Sequence, residues 1–455
     1  MDFRITKLAT FCLFISLFMV TLLTSSRFLE GTVTSNEAFK TTSSPYLKLL
    51  APGNNSIKAL MTTNDTISDG YTFQRTPDGI GTLVLKDGTM DVFINHELEH
   101  GEDGDYAKVS KLTLNRNGSV LSGKLIENGS GKYNVLCSAY LIEGNGFGRP
   151  IFITNEEIDG GIVVAYDALS GNKTEMPWLG KFSHENTILV PGYGNKTILL
   201  GTEDGEFDHS QLYMYVANSP SDLIHSRGTL HVLVGDGDNI TNFRDLRKGP
   251  IYKAHFEPLT WNWKTQNSSE LEDEVQKKNA LDFIRLEDLH YDQNNNSKIY
   301  VVDTGDKKPG EQYKNGRIYS FELAKPFKNS SSSAFYGASF AVMLDGDAGD
   351  NIRNPDNVAT SNNSLMIQED LNDYNRIQDG DNARILRFDL NSHELKPVAV
   401  LDQSFDKSNP KAGEWESSGI IDVSKIFGKG VWLVDVQAHT INEGGQLLLM
   451  TVDKS

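Results

Sequence analysis

Cysteine is almost absent from this chain. Among 455 residues only Cys12 and Cys137 occur. Cys12 lies in an N-terminal apolar run, so Cys137 has no intramolecular partner and a disulfide framework is excluded. Helical spacing is equally scarce. From Tyr71 onward short apolar runs alternate with Gly, Asn and Asp turns, which predicts an all-β chain. Basic charge is also short, with 43 Lys and Arg against 61 Asp and Glu and a formal net charge of -18. That balance excludes a general nucleic-acid binder and favours cations near the surface. The sequence has no G-x-S-x-G elbow, P-loop, H-E-x-x-H or paired C-x-x-C, so the familiar nucleophile, nucleotide and zinc motifs are missing. With 38% hydrophobic and 23% charged residues, the chain can build a core and is too apolar for disorder.

Arg4 and Lys7 precede an apolar run from Leu8 to Leu23, with small polar residues through Ser26. Residues 1–26 therefore read as a secretory signal or an uncleaved membrane anchor. Asn-x-Ser/Thr sequons at Asn64, Asn117, Asn128, Asn172 and beyond suit a secreted or cell-surface protein. Residues 27–70, rich in Ser, Thr and Asn, read as a stalk or an extended entry segment.

Within residues 71–455 one design recurs six times. Apolar runs end in polar or acidic residues at DVFINHE (91–97), PIFITNEE (150–157), ILLGTED (198–204), IYVVDTGD (299–306), LMIQED (365–370) and VWLVDVQAH (431–439). Each is followed by a further run and preceded, 13 to 21 residues earlier, by a leading polar residue: Asp78, Cys137, Glu185, Glu287, Asp356 and Glu416. Repeated units of a few antiparallel strands cannot cover their own faces, and radial stacking solves this. The expected fold is an all-β, six-bladed β-propeller. Residues 217–280 form a surface insertion between the third and fourth blades, and the acidic stretch from Glu270 to Lys278 is read as a solvated excursion.

In a propeller the leading residues meet at one rim of the channel. Two ionised carboxylates about 4 Å apart repel by roughly 4 kcal/mol at an intermediate dielectric. Five carboxylates and a thiol in one ring therefore call for cations. Carboxylate oxygens suit Ca²⁺ and a thiolate suits a transition metal, so the mixed ring points to mixed metals. Two plainer readings stand beside this one: a calcium ion or water that merely holds the blades together, and a lone cysteine that is a small buried hydrophobe. His96, His184 and His439 stand next to the acidic positions, where packing or hydrogen bonding competes with a proton-transfer role.

The order of RTPDG (75–79), NHE (95–97), Cys137 before NEE (155–157), HEN (184–186), TEDG (202–205), LEDLHYD (286–292), NPDNV (354–358), IQED (367–370) and ESSGIID (416–422) resembles the PhoX-type alkaline phosphatases. The resemblance spans about residues 70 to 440. It implies an exported propeller that hydrolyses small phosphate monoesters with Ca²⁺ and Fe³⁺ at the channel mouth. It further implies that Cys137 binds iron, with Glu97, Glu157, Glu185, Glu203, Glu287, Glu369 and Glu416 as carboxylate ligands and the leading Asp78 and Asp356 beside them. Arg353, next to the NPDN motif, is expected to hold a phosphate oxygen, and His184 is expected at the reaction centre. The sequence departs from the family where Ser138-Ala139-Tyr140 replace the usual glycines after the cysteine, where an Arg-Arg export signal is missing, and where the fourth acidic run ends VDTGD without a Glu. Two other readings share the fold expectation: a non-catalytic calcium-stabilised propeller that binds a surface glycan or protein, and a calcium-dependent lactonase or phytase-like hydrolase.

Overall fold

Polar turns and two-sided apolar strands dictate how this chain folds. The computed structural model describes residues 39–50, 55–100, 105–205, 209–237, 240–306, 313–324, 336–371, 382–408, 410 and 413–452; the signal or anchor expected at 1–26 lies outside them.

The described residues build an all-β, propeller-like fold with five antiparallel sheets. The first contains Pro77–Val84, Met90–His96, Lys108–Leu114 and Val120–Glu127, and the second Leu136–Ile142, Ile151–Glu156, Val163–Asp167 and Lys173–Glu175. A nine-stranded sheet starts at one edge with His184–Leu189, Thr197–Glu203, Leu212–Ala217 and Gly228–Gly235. At its other edge lie Leu286–Asp292, Asn295–Asp303, Arg317–Leu323 and Tyr336–Asp345, and Tyr252–Pro258 joins the two halves. The next sheet contains Pro355–Thr360, Ser364–Glu369, Arg384–Asp389 and Leu395–Leu401, with Leu47–Leu49 on its edge. The last runs Ile420–Asp422, Val431–Ala438, Gly444–Thr451 and Ser56–Thr62.

Both faces of the strands are apolar because sheets stack face to face, and side-chain alternation sends successive residues to different neighbours. Val92 and Ile94 pack with Leu433 and Leu447 of the last sheet, whereas Phe93 between them packs with Phe152 and Val164 of the second. The strands Pro77–Val84, Leu136–Ile142, His184–Leu189, Leu286–Asp292, Pro355–Thr360 and Ile420–Asp422 touch one another in that order, and the last touches the first. They form a closed ring around a common channel.

Two stretches fold differently from expectation. The segment 27–70 is not a free stalk where it is described. Leu47–Leu49 pairs with Leu395–Leu401, and Ser56–Thr62 pairs with Gly444–Thr451, so an early strand closes the sheet formed by the C-terminal ones. Two strands from the expected insertion at 217–280, Gly228–Gly235 and Tyr252–Pro258, also pair into the nine-stranded sheet. Within the same insertion, Ser268–Lys277 is a helix capped by Asn267 that buries Leu271 and Val275, so only its outer face is solvated.

Five of the six ring strands share one irregularity. Pro77 pairs with His96 and Ile80 with Ile94, so Asp78 and Gly79 together oppose the single residue Asn95. The same two-against-one step sets Cys137 and Ser138 against Asn155, Glu185 and Asn186 against Thr202, Glu287 and Asp288 against Val302, and Asp356 and Asn357 against Gln368. Such β-bulges bend a strand and re-aim its side chains. Here they turn five leading residues toward one mouth of the channel.

Gly79 is required at the first bulge, since a Cβ there would lie 2.4 Å from Ala139 N and 2.6 Å from Cys137 O. Gly→Ala in a strand ordinarily gains about 0.5–1 kcal/mol. Gly79→Ala is expected to destabilise by about 1–3 kcal/mol, the usual range for overpacking, because it forces backbones apart. Thermal unfolding checks this, and an unchanged or raised Tm contradicts it.

Candidate metal centre and active site

The bulges bring seven of the expected ligands together. Asp78, Glu97 and Cys137 form one group of potential donors, Cys137, Glu157 and Glu185 a second, and Glu185, Glu287 and Asp356 a third; within each group the ligand atoms lie within 4.8 Å of one another. Cys137 and Glu185 each belong to two groups, so the three groups form one continuous chain of donors. Six carboxylates and one thiol make a donor set that suits hard cations, with a single position for a softer one.

The electrostatics show what this convergence costs without cations. Burial, reinforced by Glu97 and Glu185, pushes the Asp78 carboxyl well above the usual range. Burial raises Glu157, helped by Asp204, and Glu185, helped by Glu287. The Cys137 thiol is raised by burial and then by Glu157, and its Sγ donates a 2.7 Å hydrogen bond to Glu157 Oε2. Asp78 Oδ1 is buried without a hydrogen-bond partner. Orphaned buried acceptors among acids are the signature of a cation site, because cations restore the ionised forms.

A layer of neutral side chains fixes the donors. Ser138 Oγ donates to Glu185 Oε1 at 2.7 Å and accepts from Asn357 Nδ2 at 2.8 Å. Gln437 Nε2 donates to Asp78 Oδ2 at 3.1 Å and Glu97 Oε2 at 2.7 Å. Asn155 Nδ2 donates to the Ser138 carbonyl at 2.9 Å. Ser138, which departs from the family's glycine, thus orients Glu185.

Three further expected ligands stand outside these groups, though Glu416 is near enough to Asp78 to help raise it. Among the described residues Glu203, Glu369 and Glu416 join none of the three groups. Glu203 pairs directly with His184 in the ladder; its carboxylate accepts from Tyr213 Oη at 3.2 Å and faces a side cleft. Glu369 pairs directly with Pro355 and is fully buried. Arg384 Nε donates to its Oε2 at 2.9 Å, and Arg353 Nη2 donates to the same oxygen at 3.1 Å. Its oxygens are thereby occupied by guanidinium groups, and Arg353 serves Glu369 rather than facing the carboxylate chain. Glu416 accepts from His439 Nε2 at 3.0 Å; burial and then Asp370 raise its pKa to about 8. His184 does not reach the reaction centre. Its ring is 1% exposed, lies 3.7 Å from the Phe182 ring and directs Nε2 to the Gly180 carbonyl at 3.2 Å. Burial depresses its pKa to about 3, so it is a neutral core histidine.

The structure also supplies residues that motif reading passed over. Asp204 and Asp370, each one position beyond the expected Glu, are the groups that act on Glu157 and Glu416. Arg285 Nε donates to Asp204 Oδ1 at 2.8 Å, its Nη2 donates to the other Asp204 oxygen, and Nη2 lies 3.8 Å from Glu287 Oε1. This partly exposed guanidinium sits beside the donor chain, at the edge of a cleft.

A pH dependence follows. Burial raises Asp288, next to Glu287, to about 7, and Glu416 stands at about 8, against roughly 4 for unfolded carboxyls. Because the folded pKa values lie above the unfolded ones, the folded state binds more protons, and stability is lost as pH rises through the folded values. Chelator-treated protein is expected to lose thermal stability between about pH 4.5 and pH 8, and added divalent cation is expected to flatten that slope. Melting curves with and without cation test this; stability that rises with pH in the stripped protein contradicts it.

A family model described as alkaline phosphatase PhoX matches residues 127–416, more than half of the chain. No curated protein sequence matches the chain. Among solved structures, Pseudomonas fluorescens PhoX in complex with vanadate, a transition state analogue, superposes with a TM-score of 0.59 at 13% identity, covering 91% of this chain and 97% of that one. A mutant Trypanosoma rangeli sialidase displaying trans-sialidase activity reaches only 0.41 at 11% identity, covering 89% of this chain and 59% of that one. The first superposition carries the fold, the family match carries the chemistry, and the chain accordingly belongs to the PhoX alkaline phosphatase family and is a phosphatase.

Proposed function

We propose that this phosphatase is metal-dependent, acts on small phosphate monoesters outside the cytoplasm, and works at the mouth of a six-bladed propeller. The count of six is supported by the closed ring of six inner strands and by the nine-stranded sheet, whose two halves each repeat the four-strand pattern around Tyr252–Pro258. Export is supported by the apolar N-terminal run with Arg4 and Lys7 before it. Among the described residues no helix is long and apolar enough to cross a membrane.

The observation that carries the metal reading is the chain of three donor groups joined through Cys137 and Glu185. Cys137 with Glu157 and Glu185 forms the group suited to iron, since a thiolate favours a transition metal. Glu185, Glu287 and Asp356 form an all-carboxylate group suited to calcium. These residues would hold the cations, which would polarise the phosphoryl oxygens as Lewis acids and offset the charge that develops on them.

The chain's own groups do the rest. Arg285 is held by Asp204 on the solvent side of the donors, where a guanidinium is positioned to bind a phosphoryl oxygen and orient the ester. It takes the role that sequence spacing suggested for Arg353. Gln437, Ser138 and Asn357 keep the carboxylates from rearranging, which is the preorganisation that electrostatic catalysis requires.

Purified holoenzyme is expected to release phosphate from p-nitrophenyl phosphate and to lose that activity on chelation. Cys137→Ala is expected to lower turnover by more than about 100-fold, the scale on which removed catalytic electrostatics act, and to abolish any thiolate-to-iron absorption band while leaving the circular dichroism spectrum unchanged. Turnover that resists exhaustive chelation, or a fully active Cys137→Ala, contradicts the reading.

A further inference from the structure

Beside the donor chain lies a cleft of about 720 Å³ that none of the seven donors lines. Asp204, which acts on Glu157, and Arg285, 3.8 Å from Glu287, both line it, so an ester whose phosphoryl group is held by Arg285 has its alcohol portion in or next to this space. Three separate segments supply acids to the walls: Asp159 after the strand Ile151–Glu156, Glu203 at the end of Thr197–Glu203, and Glu272 with Asp273 on the helix Ser268–Lys277. Five acids line the cleft against Lys181 and Arg285, which offset them only in part. Arg285 is engaged by Asp204, and Lys181 Nζ donates to the carbonyls of Trp263 and Gln266 at 3.0 and 3.4 Å. The stacked rings of Phe182 and Tyr213, 4.2 Å apart, together with Leu271, give one wall an apolar surface.

We infer that this cleft receives the alcohol part of the monoester and selects aminoalkyl phosphates, whose alcohol carries a positive charge, over esters whose alcohol carries a carboxylate or a second phosphate. The inference rests on the phosphatase reading above and adds the class of substrate. A cationic group in the cleft meets acids from three directions, and an apolar wall suits its methylene stem and interacts favourably with an ammonium. An anionic group there meets more acids than cations and is repelled by the excess. The helix bearing Glu272 and Asp273 comes from the segment between the two halves of the nine-stranded sheet, so this segment supplies selectivity to a site built by the ring strands.

O-phosphoethanolamine and phosphoglycolate are both two-carbon phosphate monoesters and differ in the charge at the far end. For the holoenzyme the ratio of their kcat/KM values is expected to exceed about 10 at low ionic strength and to shrink as salt rises, because the screening length falls to about 10 Å at 0.1 M. Replacing Glu272→Gln and Asp273→Asn together, both on a solvent-facing helix surface, is expected to lower the ratio by about threefold or more, as for loss of two partly screened charges. A ratio at or below one, or a ratio unmoved by the double replacement, overturns the inference. Parallel assays with p-nitrophenyl phosphate separate the two levels: turnover of that ester without charge preference removes the inference alone, and no turnover of any of the three esters removes it with the phosphatase reading.

Discussion

The structure depends on one electrostatic constraint, the convergence of six carboxylates and a thiol in a channel mouth too dry to solvate them. Groups of this kind do not cluster for stability. Like charges a few ångströms apart at low dielectric cost several kcal/mol each, and burial drives Asp78, Glu157, Glu185 and Cys137 toward their protonated forms. A fold that imposes such a cluster and then fixes it with Gln437, Ser138 and Asn357 offers a ready seat for positive charge from outside the chain, which is the basis of the metal-dependence proposed above.

Backbone geometry imposes it. A flat ladder places alternate residues on opposite faces, and an unbroken inner strand directs its second residue into a blade. The repeated two-against-one step frees that residue to face the axis in five successive strands. The third residue of each bulge, from Ser138 to Asn357, then bonds to the donors or to the next strand. One local device, used five times, converts a structural repeat into a site, and the pairing of Ser56–Thr62 with Gly444–Thr451 closes the ring that holds the repeats in place.

Much of this was legible in the sequence, and the failures have one cause. The alternation of apolar runs gave the all-β repeat, and the similar offsets picked out Asp78, Cys137, Glu185, Glu287 and Asp356, each of which is the second residue of its strand. The returning strands were read by residue type rather than by place. In NHE, NEE, TED and QED the first residue opposes the bulge and the second pairs within the ladder. The third lies beyond it, so Glu97 and Glu157 are companions of Asp204 and Asp370, and Glu203 and Glu369 are not. A one-residue step changes the face of a strand, and a preference for Glu over Asp as a ligand crossed that step twice. Arg285 has no motif of its own. Its role comes from a loop that brings it across the fold to Asp204, a contact between positions 81 residues apart that no local pattern announces. His184 and Arg353 lie beside motif acids in sequence yet turn into the blades.

The most direct test of the account is elemental analysis of the purified, undialysed protein, expressed as metal ions per chain. Calcium together with iron, more than one ion in total for each Cys137, is the predicted result; protein that is folded and active with neither metal bound would contradict the claim that these buried acids are held together by cations.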